Sequence, residues 1–164
     1  MGDIVEPLLK EDGEAYKAAV LIPTINNAEE LSIVLERLSK QTYSHFEVVI
    51  SDSKSKDNTK EICDKYDATW IEDSSNNRAD ACNFALNQMD HDLVLFTDDD
   101  TIPPLDWVEK LIRWFKDPEV GAVGGPNFAP DDDSFGAKCA DVAFCTKFMT
   151  AGTRYGAQPK GELV

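Results

Sequence analysis

Three consecutive carboxylates, Asp98, Asp99 and Asp100, follow an apolar stretch at residues 93–97 and precede Ile102-Pro103-Pro104. Adjacent like charges repel, so a fold keeps such a run at a strand end only where solvent, a helix N-terminus or a divalent cation carrying a phosphorylated ligand compensates. A solvated turn with helix capping is the commoner use of such acids taken alone. Companion segments favour the cation here. Polar stretches at residues 23–26, 51–57 and 98–100 each follow an apolar run. In an open parallel sheet such stretches gather outside the carboxyl ends of the strands, where ligands bind. An acidic pair at that edge can hold Mg2+ or Mn2+ against the phosphates of a nucleotide diphosphate.

The elements that must position these groups follow from the periodicity. Residues 18–22 (AAVLI) form a short continuous apolar run ended by Pro23, as expected of a strand buried on both faces. Asn27, with Glu30 three positions on, then opens a helical stripe of Leu31, Val34, Leu35 and Leu38. The pattern recurs. A strand at 46–50 leads through a polar loop to a helix capped by Asp57, and a strand at 69–71 leads to a helix carrying Ala81, Phe84, Ala85 and Met89. The strand at 93–97 is followed by a helix from about Pro104 to Lys116, and 120–123 reads as a fifth strand. Such alternation implies βαβ units and a mainly parallel three-layer α/β sheet. Beyond residue 126 it stops, and residues 134–150 read as one amphipathic helix.

Composition removes several classes of function. A formal net charge of -15 repels nucleic-acid phosphates and anionic lipid, so no nucleic-acid partner is expected. No apolar run approaches the roughly 20 residues that span a bilayer. The acidic N-terminus lacks the cationic start of a signal peptide and reads as a loosely structured leader over residues 1–16. Cys63, Cys82, Cys139 and Cys145 show no CxxC spacing, which argues against zinc and for small buried thiols in a reducing compartment. His45 and His91 fall in turns before strands, and neither is given a catalytic role. The cluster Asp131 to Asp133 sits in a Pro-rich loop and reads as solvated.

Four strings in order, VLIPTINNAEEL, SDSKSKDNT, NNRADACNFAL and FTDDDTIPPLDWVEKL, together resemble the donor-binding part of inverting family 2 glycosyltransferases with the Rossmann-like GT-A fold. The resemblance covers roughly residues 17–126, the expected nucleotide-sugar-binding domain. Residues 127–164 are expected to begin an acceptor-side region that is incomplete. The implied activity is transfer of a sugar, with inversion, from a nucleotide-diphospho-sugar, a UDP-sugar foremost, to an acceptor hydroxyl. The acceptor class implied is a lipid-linked or polymeric saccharide. The implied compartment is the cytoplasm, as the cytosolic part of a membrane-associated protein.

Carried over position by position, Pro23, Thr24 and Asn26 match the first-strand loop that lies against the nucleotide, and Asp52 matches the aspartate that hydrogen-bonds the base. Asp98 and Asp100 match the two acids of the D-x-D motif that hold Mn2+ or Mg2+, with Asp100 the direct metal contact and Asp99 or Asp98 facing the ribose. Arg78 and Asp80 stand where the family places further donor-site groups, although capping and a surface ion pair would also explain them. Ile25 replaces a common aromatic residue, and Lys54 and Lys56 replace the small residues common after Asp52. The family's base is an acid farther towards the C-terminus. No matching segment precedes Val164, Glu162 is a poor match, and the base is unassigned. The competing readings are a non-catalytic nucleotide-sugar-binding module and a haloacid-dehalogenase-like phosphotransferase. The latter's D-x-D follows the first strand rather than the fourth.

Overall fold

The computed structural model describes residues 6–75, 77–125 and 134–144. The chain divides into two compact units, Met1–Gly121 and Ala122–Val164. In the first, β1 (Ala18–Thr24), β2 (Glu47–Asp52), β3 (Thr69–Glu72) and β4 (Leu93–Phe96) form one parallel sheet in the order β3-β2-β1-β4. Helices α1 (Ala28–Leu38), α2 (Thr59–Lys65) and α3 (Arg78–Leu86) make the crossovers, and α4 (Trp107–Ile112) follows β4. This is the three-layer α/β arrangement expected from the alternation.

The layering follows from strand periodicity. Successive side chains of a strand point to opposite faces, and in β1 both faces are covered. Ala18, Val20 and Ile22 pack with Leu31, Val34 and Leu35 of α1, Cys63 of α2 and Val108 and Ile112 of α4. Ala19 and Leu21 pack with Val49 and with Ala85 of α3. That double coverage explains why β1 reads as a continuous apolar run. A slip of one residue would exchange the two faces, so the register Thr24↔Asp52 and Leu21↔Phe96 is strongly specified.

Several local expectations are corrected. Asn27 is the residue before α1 but makes no side-chain cap bond; the Ala28 amide donates instead to Asp57 Oδ2 at 3.0 Å. Asp57 Oδ1 accepts from the Thr59 amide and hydroxyl, so a single carboxylate serves the starts of both α1 and α2. The helix expected from Pro104 runs only over Trp107–Ile112 and tightens into a 3-10 turn, Arg113–Lys116. Residues 120–125 carry no strand, because no neighbouring strand among the described residues offers them a ladder. Residues 6–16 are tied down: Leu8 is buried, its amide donates to the Tyr43 hydroxyl, and Leu9 bridges Ala15.

The second unit contains α5 (Phe135–Phe144). Cys139 on this helix is exposed, unlike the buried thiol expected there, whereas Cys63 is fully buried and burial pushes its thiol up to about 12. Cys145, Glu162 and residues 131–133 lie outside the described residues. No described helix is long and apolar enough to cross a membrane.

Candidate functional site

The order β3-β2-β1-β4 arises because the crossover through α1 leaves β1 on one side and the crossover through α3 returns on the other. The carboxyl ends of β1 and β4 therefore flank a switch point, where loops diverge and leave a crevice. A cavity of about 520 Å³ opens there, lined among others by Pro23, Thr24, Lys54, Arg78, Asp98 and Asp99. Residues distant in sequence meet at it. The Thr24 hydroxyl donates to Asp99 Oδ2 at 2.6 Å, and Arg78 Nη1 lies 2.5 Å from Asp98 Oδ1.

The acid run thus divides into three environments. Asp98 is paired with a guanidinium, Asp99 with a hydroxyl, and Asp100 is exposed with no hydrogen bond or ion pair to the described residues. Only Asp100 keeps its whole acceptor capacity. No group of three or more acidic, imidazole or thiol side chains among the described residues is placed to cage a metal. The donor set is carboxylate oxygen, which suits a hard cation held by one or two carboxylates and completed by water and substrate phosphate. The residues therefore fit Mn2+ or Mg2+ in that open mode.

The remaining expected residues take different positions. Asn26 adopts a left-handed backbone (φ 50°); its amide donates to Ser55 Oγ and its Oδ1 accepts from the Lys56 amide, which clamps the loops after β1 and β2 together. Asp80 is exposed and belongs to the cap of α3, its amide donating to Asn77 Oδ1 while Asn77 Nδ2 donates to its carboxylate. Asp52 is only 2% exposed, and its two oxygens accept from the Ser55 amide and from Trp70 Nε1, each at 2.9 Å. It stands behind the cavity lining rather than on it.

Asp73, not singled out from the sequence, organises the wall beside Asp52. It is 2% exposed and accepts from Ser51 Oγ at 2.8 Å, from Ser53 Oγ and from the Ser75 amide. Burial pushes its carboxyl up, but the bonds from Ser75, Ser51 and Ser53 outweigh that and hold it below the ordinary carboxylate value. Ser53 and Ser75 both line the cavity, so Asp73 fastens part of its wall. The available sequence signal was its place directly after β3, at the same edge as Asp52 and Asp98.

Comparison with known proteins agrees with this geometry. The family model described as Glycosyl transferase family 2 matches residues 19–158. Glycosyltransferase AglE of Haloferax volcanii is 31% identical over 115 residues, covering 65% of this chain and 38% of AglE. TarS of Staphylococcus aureus, a poly(ribitol-phosphate) beta-N-acetylglucosaminyltransferase, is 34% identical over 92 residues, covering 51% of this chain and 16% of TarS. The structure of a mannosyltransferase from Pyrobaculum calidifontis, in complex with GDP-Man and Mn2+, superimposes with a TM-score of 0.64 at 27% identity. It covers 80% of this chain and 40% of that one. The chain thus spans well under half the length of these relatives.

Proposed function

This chain belongs to glycosyl transferase family 2, and from that premise we propose that its cavity binds a nucleotide-diphospho-sugar, a UDP-sugar foremost, for transfer of the sugar with inversion to an acceptor hydroxyl. The observation that carries the reading is the convergence of Thr24, Arg78 and the acid run on one cavity at the switch point of the sheet. The Pyrobaculum relative, bound to GDP-Man and Mn2+, supports a nucleotide-sugar donor and a divalent cation.

In this reading Asp100, together with Asp98 when it is free of Arg78, would hold Mn2+ or Mg2+. The chemistry such a cation supplies when bound is neutralisation of the charge that develops on the leaving diphosphate. Arg78 turns from Asp98 to the diphosphate, where its planar fork matches phosphate oxygens. Thr24 holds Asp99 in one orientation, so that its free oxygen faces the ribose hydroxyls. Asp52 acts from behind the wall, through the loop that its bond to the Ser55 amide fixes. The acceptor is read as a lipid-linked or polymeric saccharide, in keeping with the polymer acceptor in the name of TarS. The compartment is read as the cytosol, beside a membrane, which the free Cys63, Cys82 and Cys139 support.

Isothermal titration of UDP and GDP, with and without Mn2+, into the protein and its Asp100→Ala variant tests the proposal. Metal-dependent nucleotide binding that weakens at least tenfold in the variant is expected. Unchanged metal-dependent affinity would remove Asp100 from the site.

A further inference from the structure

Lys54 occupies a position where the resembling family carries small residues, and its surroundings give that departure a use. It follows β2 with φ at 60°, a left-handed conformation that disfavours any residue with a Cβ. The Lys54 amide donates to the Asp52 carbonyl at 2.8 Å, so the same tight turn that buries the Asp52 carboxylate turns residue 54 outwards. Lys54 is exposed and lines the cavity. Strain of this kind collects at ligand sites, where a side chain must be aimed.

The charges on the lining then matter. Of its two cations among the described residues, Arg78 is engaged with Asp98, whereas the Lys54 ammonium makes no hydrogen bond or ion pair with any described residue. Position separates their roles as well. Lys54 lies at the end of β2, two strands from β4 in the order β3-β2-β1-β4, or about 10 Å at the usual strand spacing. That span is comparable to the reach from the second phosphate of a nucleoside diphosphate to its base. With the diphosphate beside the acid run, Lys54 stands at the base.

We infer that Lys54 is a specificity-determining residue that reads the exocyclic oxygen of an oxo nucleobase, uracil O4 or guanine O6. The inference rests on the donor-site reading above. An ammonium only donates hydrogen bonds, so it pairs with a carbonyl oxygen and opposes the amino group that cytosine and adenine carry at the same position. Of the serines at this end, Ser53 commits its hydroxyl proton to Asp73, while Ser74 and Ser75 carry hydroxyls that both donate and accept, so none of them selects a carbonyl oxygen. Asp52 does not supply the selection directly, because its carboxylate is buried behind the lining with both oxygens engaged.

The test is isothermal titration of UDP, GDP, CDP and ADP, each with Mn2+, into the protein and into Lys54→Met and Lys54→Gly. Lys54→Met keeps the apolar stem and removes the charge, while Lys54→Gly also relieves the left-handed backbone. The parent protein should bind UDP or GDP at least tenfold tighter than CDP and ADP, and which of the two is preferred identifies the base. Both variants should lose that preference with CDP and ADP affinities unchanged. A uniform fall for all four nucleotides would mean a phosphate contact and overturn the inference, as would an unchanged preference or none in the parent. Absence of binding to all four would remove the donor-site reading itself and this inference with it.

Discussion

Arg78 Nη1 lies 2.5 Å from Asp98 Oδ1, and the pair lines the cavity with both side chains about half exposed, at 55% and 45%. In such a setting an ion pair is worth about 0.2–1 kcal/mol, weak enough for an incoming diphosphate to exchange. In the proposed reading, Asp98 without a nucleotide-sugar is therefore shielded from a cation, and Arg78 is held ready for the diphosphate.

Replacing Arg78 with Ala should accordingly act in opposite directions on the two ligands. Affinity for Mn2+ alone should rise, by up to about fivefold given the strength of an exposed pair, while affinity for the nucleoside diphosphate in the presence of Mn2+ should fall. Free Mn2+ followed by electron paramagnetic resonance reads the first, and calorimetry reads the second. A variant that loses both affinities would show that Arg78 only maintains the structure.

Asp73 predicts a pH dependence of stability. Its folded pKa is depressed by the bonds from Ser75, Ser51 and Ser53, so its stabilising contribution is complete above the unfolded value of about 3.9 and is lost as pH falls through the folded value. At neutral pH Asp73→Asn should be less stable by about 1.5–3 kcal/mol, the range for hydrogen bonds to a charged group. The gap should close on acidification below about pH 4. Urea denaturation followed by circular dichroism across that range measures it; a gap of constant size at every pH would contradict the assignment.

Asp57 accepts the first amide of α1 and the Thr59 amide and hydroxyl at the start of α2. Asp57→Ala should therefore cost about 0.5–2 kcal/mol, as for a lost N-cap, and lower the melting temperature by roughly 1–8 °C. Asp57→Asn should recover part of the loss, since its amide oxygen still accepts. Thermal melts decide the matter, and an Ala variant that melts with the parent would show that the shared cap contributes nothing.

The sequence by itself determined the alternation of strands and helices, because a period of two, a period of 3.6 and a continuous apolar run each report how many faces an element buries. It also placed the acid run and the polar loops at the carboxyl edge, since they follow their strands directly. Weaker signals misled where a local pattern lacked its partner. Residues 120–123 are apolar enough for a strand but pair with none among the described residues, and Asn27 has a capping side chain whose role Asp57 takes.

Only the tertiary structure decided how each polar group is used. Asp52, the last residue of β2, and Asp100, four residues beyond the end of β4, are the same residue type at the same edge of the sheet, yet one is buried with both oxygens engaged and the other is exposed and open. The partners responsible are far apart along the chain: Thr24 and Asp99 are separated by 75 positions. A hydrogen bond consumes a specific donor and acceptor, and which pair forms depends on strand order and register rather than on residue type. The acid run announced a site, while the sheet assigned Asp98 to Arg78 and Asp99 to Thr24 and left Asp100 open.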